Sequence, residues 1–257
     1  MSPGSDRIRA ARALLALRPA LAADGVALGI AAVGDPAARP AGPDERRRAD
    51  TMPPARRRDF LAGRHAARRA LAAAGQPSGE IGCAGRRPVP PAGTTVSISH
   101  SGGLAVALAA PAFPGRALGC DLELRGLPLP AAHLVLHPGE ESWVRAAGGT
   151  AAAEARLLAL FSAKEAAFKA YGVLLPAGRA PTTLLGITAT PVPGGFLAQH
   201  RHRQPHRQER REGPGQALRI GLFPAGRGVF AWTAGVTART AETIRPTSGA
   251  GSGWKWK

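Results

Sequence analysis

Lysine is almost missing from this chain of 257 residues. Of its 34 basic residues 30 are arginine, and the 4 lysines fall at positions 164, 169, 255 and 257. Two stand at the C-terminal end; the other two share one short stretch, FSAKEAAFKAYG at 161–172. No lysine follows a glycine, which excludes a Walker A phosphate loop. No GxSxG occurs, which argues against a hydrolase elbow. The 2 cysteines, Cys83 and Cys120, form neither a CxxC pair nor a disulfide framework, and a reducing cytoplasm is their simplest context. Long apolar runs are lacking too. The most apolar run, 104–112, falls well short of the roughly 20 residues of a membrane helix. The ALLAL run near the N-terminus is broken by Arg18 and Pro19 and makes a poor signal peptide. A soluble cytoplasmic protein is expected.

Acids are also scarce, 17 in all, leaving a net charge of +17. Such an excess suggests a polyanionic partner. It is equally what GC-rich coding produces, with abundant Ala, Gly, Pro and Arg and little Lys, so charge alone assigns no function. Aromatics are 5% of a chain that is 44% hydrophobic, and the core is expected to be rich in Leu, Val and Ala.

What is present alternates between helical and strand patterns. Residues 7–18 and 56–74 read as helices, the second stopped by Gly75. Residues 26–33 (VALGIAAV) read as a strand, and 34–55 as a loop or short helical connector. TTVSISH and LAVALAA form a hairpin around SGG, and ALGCDLEL is a third strand. Residues 132–147 and 153–171 read as helices. LLGITAT, GGFLAQH, ALRIGLF and VFAWTAGV complete a strand-rich last third. The His- and Arg-rich stretch 200–215 reads as a polar loop, and 247–257 as a flexible tail. Mixed helices and hairpins point to an α+β fold. The expected organisation is two halves, 1–116 and 117–246.

Four constellations carry candidate chemistry. In GCDLE, Asp121 and Glu123 point from one face of a strand while Leu118, Cys120, Leu122 and Leu124 share the other. Two carboxylates side by side in a strand are either a solvated face or a pair awaiting a hard cation, Mg²⁺ or Mn²⁺. In FSAKEAAFKAYG, Glu165 lies near Phe161 and Phe168, with Lys169 one turn on. This is either a surface ion pair or a third carboxylate with a compact charge for a phosphate. In VSISHSGG, Ser99 and His100 point to opposite faces and cannot form a dyad. His100 is either structural or a phosphate contact, and the SGG turn offers backbone N–H groups. Lastly, residues 39–69 hold ten arginines against four acids. Arg56, Arg57, Arg58, Arg64, Arg68 and Arg69 are either a solvated basic face or a set that gathers phosphates. His200, His202 and His206 read as accidental composition rather than a metal site.

The order of these motifs is more specific than any one of them. GRHAARRAL, GRRPVPPAG, SISHS, GCDLE and FSAKEAAFKAYG, over about residues 56 to 175, resemble the 4'-phosphopantetheinyl transferases of the surfactin- and enterobactin-synthetase-activating type. The resemblance implies a monomer of two similar α/β halves related by a pseudo-twofold, with coenzyme A in the cleft between them. It implies an enzyme that moves phosphopantetheine from coenzyme A to a serine of an acidic apo acyl, polyketide or peptidyl carrier protein. Adenosine 3',5'-bisphosphate is released, as in the activation of carriers for secondary metabolism. By motif, Asp121, Glu123 and Glu165 are implied to hold Mg²⁺, with Glu165 the candidate base and Lys169 the pyrophosphate lysine. Ser99, His100, Arg56, Arg64, Arg86 and Arg87 are implied contacts of coenzyme A. Lys164 is either a surface residue or a phosphate contact. Phe161 stands where the family often has tryptophan, and Cys120 where it often has Val or Ile. The competing readings are an arginine-driven nucleic-acid-binding protein and a non-catalytic relative that binds coenzyme A or carrier. The basic stretches lack interleaved aromatics, which speaks against nucleic acid.

Overall fold

Every strand pairing among the described residues is antiparallel, and the strands divide between two main sheets. The computed structural model describes residues 3–201 and 217–236. The chain opens with helices α1 (Pro3–Ala16) and α2 (Arg18–Ala23), then strand β1 (Ala27–Ala32). Helices α3 (Pro43–Asp50) and α4 (Pro54–Ala73) follow, then a small ribbon of β2 (Gly82–Ala84) and β3 (Arg87–Val89). A hairpin of β4 (Thr94–Ser101) and β5 (Leu104–Pro111) leads to β6 (Arg116–Glu123). Helices α5 (Pro138–Arg145) and α6 (Thr150–Leu174) come next. The last strands are β7 (Ile187–Val192), β8 (Gly195–His200), β9 (Ala217–Ala225) and β10 (Gly228–Val236). The fold is α+β, as expected.

One segment settles an alternative that the sequence left open, and another differs from the sequence reading. The connector 34–55 contains a helix, α3, which opens on Pro43 and is fastened by the buried carboxylate of Glu45. Its oxygens accept from the N–H groups of Ala41 and Ile81 and from Arg68. The single helix expected over 132–147 is instead a 3-10 turn at Leu129–Leu134 followed by the shorter α5. Pro138 sets the α5 start, because proline suits a first helical turn, and Glu140 reaches back to the N–H of His137. The stretch 202–216 and the tail 247–257 lie outside the described residues, and so do His202 and His206.

The first sheet runs β1-β5-β4 and the second β6-β10-β9-β8-β7. The order first strand, last strand, penultimate strand therefore occurs in both. Each sheet carries one long alanine-rich helix, α4 on the first and α6 on the second. Each also places a glycine of its first strand against the main chain of that helix. A Cβ at Gly29 would overlap the Ala66 carbonyl, and one at Gly119 the Ala166 carbonyl. Glycine is thus required where helix and strand touch backbone to backbone. The core is built from small and aliphatic side chains. A third cluster, including Leu14, Leu28, Leu108, Leu118, Leu122 and Phe230, joins the two sheets to α1 and α2. Cys120, Leu118 and Leu122 of β6, with Leu124 just past its end, face this cluster, so Asp121 and Glu123 face the other way, toward β4 and α6.

Candidate active site

Asp121 is 4% exposed, and three side chains address its carboxylate. The hydroxyl of Ser99 on β4 donates to Oδ1 at 2.9 Å, and that of Ser162 on α6 donates to Oδ2 at 2.9 Å. The Lys169 ammonium, also on α6, donates to Oδ1 at 3.0 Å and to the Cys120 carbonyl at 2.9 Å. Glu123, two residues along β6, accepts from the Ser101 hydroxyl at 3.1 Å. The strand and helix motifs thus meet as a physical contact, and Lys169 is no surface partner of Glu165. Its ammonium has turned to the strand carboxylate.

The remaining acids are short of positive charge. Burial, then the neighbouring charge of Asp121, pushes the Glu123 carboxyl up to about 7, with Glu165 adding to the rise. Glu165 is raised as well, first by burial and then by Asp121, against the pull of Lys169. No hydrogen bond or ion pair joins Glu165 to another described side chain. Among the described residues no three of His, Cys, Asp and Glu are placed to hold a metal ion as they stand. The expected metal set of Asp121, Glu123 and Glu165 is therefore not a closed cage. The donors still suit a hard divalent cation. They are carboxylate oxygens, they repel one another, and Mg²⁺ characteristically takes few protein ligands beside water and phosphate oxygens.

Next to this cluster, at the end of β4, lies a basic cleft. Arg56, Arg64, Arg86 and His100 all border it. Arg56 Nη1 approaches His100 Nε2 at 3.2 Å. A guanidinium can only donate, so Nε2 accepts and the neutral imidazole carries its proton on Nδ1. Burial lowers the His100 pKa, and the charges of Arg56 and Lys169 lower it further, against Asp59 and Asp121. Arg64 is 5% exposed. It lies 4.7 Å over the Phe60 ring, and its Nη2 donates to the Gly82 carbonyl and to Cys83 Sγ. Its buried Nε has no hydrogen-bond partner among the described residues. Arg87 stands apart from the cleft and donates to the Gly172 carbonyl near the end of α6, tying the β2–β3 ribbon to that helix.

Some sequence-based expectations need correction. Lys164 is neither a surface residue nor free for a phosphate: it is fully buried and bonded to Glu140 at 2.7 Å. The arginine set of 56–69 does not act as one. Arg68 is bound to the buried Glu45 and the Arg39 carbonyl, and Arg57 pairs with Asp50 at 3.1 Å. Ser99 is buried with its hydroxyl committed to Asp121. His200 packs its ring against Tyr171. Sequence reasoning missed Ser101, Ser162 and Cys83, the last an exposed thiol in the basic cleft. The signal for the first was available, because serines at 97, 99 and 101 repeat with the strand period of two.

No helix among the described residues is long and apolar enough to cross a membrane. Two family profiles match. That of the 4'-phosphopantetheinyl transferase N-terminal domain covers residues 44–110, and that of the 4'-phosphopantetheinyl transferase superfamily covers 117–221. Together they take in about two thirds of the chain. The chain is also 38% identical over 118 residues to the 4'-phosphopantetheinyl transferase Npt of Nocardia iowensis. That alignment covers 45% of this chain and 52% of the relative, so the match spans about half the length of that protein.

Proposed function

Because the chain belongs to the 4'-phosphopantetheinyl transferase superfamily, we propose that it transfers 4'-phosphopantetheine from coenzyme A to a serine of an apo carrier protein. Adenosine 3',5'-bisphosphate leaves. The observation that carries this reading is the contact between Lys169 of α6 and Asp121 of β6, with Glu123 and Glu165 beside it. It unites a charge for a leaving phosphate with carboxylates for a metal and for a proton.

In this reading the basic cleft holds the nucleotide end of coenzyme A. His100, Arg56, Arg64 and Arg86 supply donors there, and the unpartnered Nε of Arg64 is one such group. Asp121, Glu123 and Glu165 would hold Mg²⁺ or Mn²⁺, which supplies charge neutralisation at the pyrophosphate oxygens. Burial raises the Glu165 carboxyl, and no hydrogen bond joins it to another side chain among the described residues. It suits the base that takes the proton from the carrier serine as that oxygen attacks the pantetheine-bearing phosphorus. The phosphorus–oxygen bond to the nucleotide phosphate breaks, and Lys169 stabilises the charge that develops on the departing oxygen. The net charge of +17 would steer an acidic carrier toward the cleft.

The same reading takes residues 1–116 and 117–246 as halves related by a pseudo-twofold. The repeated strand order and the paired glycine–helix contacts support it, as does the break between the two profile matches. It also places the protein in the cytoplasm as a monomer.

The test is intact mass spectrometry of an apo carrier incubated with the protein, coenzyme A and Mg²⁺, beside an EDTA control. A mass gain of one phosphopantetheine arm that EDTA abolishes is the expected result. No gain with any class of carrier would overturn the transferase reading.

A further inference from the structure

The two halves meet along a seam that is not a backbone ladder. Strand β4 is an edge of the first sheet and β6 an edge of the second. Serine side chains fill the space between them. Ser97 Oγ accepts from the N–H of Cys120 at 3.0 Å, Ser99 from Leu122 at 3.2 Å and Ser101 from Leu124 at 3.0 Å. The separation is 23 residues each time, so the strands run side by side in the same direction and in fixed register. Buried edge N–H groups need acceptors, and here hydroxyls stand in for the carbonyls of a neighbouring strand.

A serine hydroxyl that accepts still has one proton to give. Ser99 gives it to Asp121 Oδ1 and Ser101 to Glu123 Oε2, each 22 residues on. At the corresponding place opposite Ser97 stands Gly119, which has no side chain. The three serines therefore share one seam role, and two of them have a second role.

Resting on the transferase reading above, we infer that Ser99 and Ser101 are positioning residues. Each anchors a strand N–H of the second half and with the same oxygen aims a carboxylate of the metal site. The first half thus sets the geometry of cation binding without contributing a ligand. Outer partners of this kind typically govern metal affinity by 10- to 100-fold.

Ser97→Ala separates the two roles, since it removes a seam bond but touches no carboxylate. Mn²⁺ binding to the full chain is followed by the electron paramagnetic resonance signal of free Mn²⁺. Urea unfolding is measured alongside. Ser99→Ala and Ser101→Ala are expected to weaken Mn²⁺ binding about 10-fold or more. Ser97→Ala is expected to lower the urea midpoint yet keep wild-type affinity, and Ser99→Thr, which keeps the hydroxyl, to restore it. Equal loss of affinity in all three alanine variants would reduce the seam to scaffolding and overturn the inference. So would wild-type affinity in Ser99→Ala and Ser101→Ala. Absence of Mn²⁺ binding in the wild type would overturn the metal assignment itself, a failure visible before any variant is compared.

Discussion

The ammonium of Lys164 lies 2.7 Å from Oε2 of Glu140, and the two side chains are 0% and 8% exposed. Glu140 also accepts from the N–H groups of His137 and Ala189, so one carboxylate fastens the start of α5 to β7. Glu45 does the same work at the start of α3, two residues after Pro43 as Glu140 is two after Pro138. Its cation is Arg68, which keeps a path to the surface and also bonds the Arg39 carbonyl. The two scarce lysines thus have different reasons. At 164 the slot is closed and admits a slim ammonium; at 169 a single charge must serve a carboxylate now and, in the proposed reaction, a phosphate.

Replacing Lys164 by methionine should therefore destabilise the fold by about 3–5 kcal/mol, because it leaves a buried carboxylate without its cation. Lys164→Arg should also cost about 1–3 kcal/mol, through overpacking. Urea unfolding midpoints measure both. An unchanged midpoint for the methionine variant would contradict the buried pair.

Lys169→Ala should lower kcat for carrier modification about 100-fold or more, the usual loss when one donor to developing charge is removed. Lys169→Arg should restore little, since a planar guanidinium does not reproduce the bonds to Asp121 Oδ1 and the Cys120 carbonyl. Steady-state rates at saturating coenzyme A decide this.

Glu123 gives the metal-free protein a pH signature. Its native carboxyl is raised from 4.5 to about 7, so between those values the folded state holds a proton that the unfolded chain has lost. The native state then binds more protons, and stability falls as pH rises through this window. Denaturation in EDTA at pH 5 and pH 8 should show the decline, and Glu123→Gln should flatten it.

The basic cleft predicts a selective loss. Arg56→Ala and His100→Ala should raise KM for coenzyme A about 10-fold while kcat changes less, because these groups would bind the nucleotide end rather than the reacting phosphorus. With 3'-dephospho-coenzyme A the variants should approach the wild type. An equal penalty with both substrates would place Arg56 and His100 elsewhere on the nucleotide.

Much of this architecture was legible locally. The hairpin of β4 and β5 announced itself through alternation and a glycine turn, and GCDLE placed two carboxylates on one strand face, where the structure has them. α6 was legible from its length and alanine content. The identity of the partners was not. Lys164 and Glu140 are 24 residues apart, and Ser99 and Asp121 are 22 apart. Nothing in the local pattern of either residue says that the other closes over it. A lysine beside a glutamate reads as a surface pair because helix spacing cannot register what packs on the helix from outside. The serines were legible as a strand but not as a seam, since a period of two states which residues share a face and not what that face meets.

Gly119 bears on how this chain can change over time. Its strand and α6 touch main chain to main chain, with the Ala166 carbonyl occupying the place of a side chain. The separation of the two backbones that carry Asp121, Glu165 and Lys169 is accordingly fixed by main-chain contact. Neighbouring side chains can be exchanged without retuning that distance, whereas any residue other than glycine at 119 would shift the whole helix at once. Sequence change is thereby directed to side chains at the rim of the cleft, and the spacing of the two backbones at its floor is held fixed.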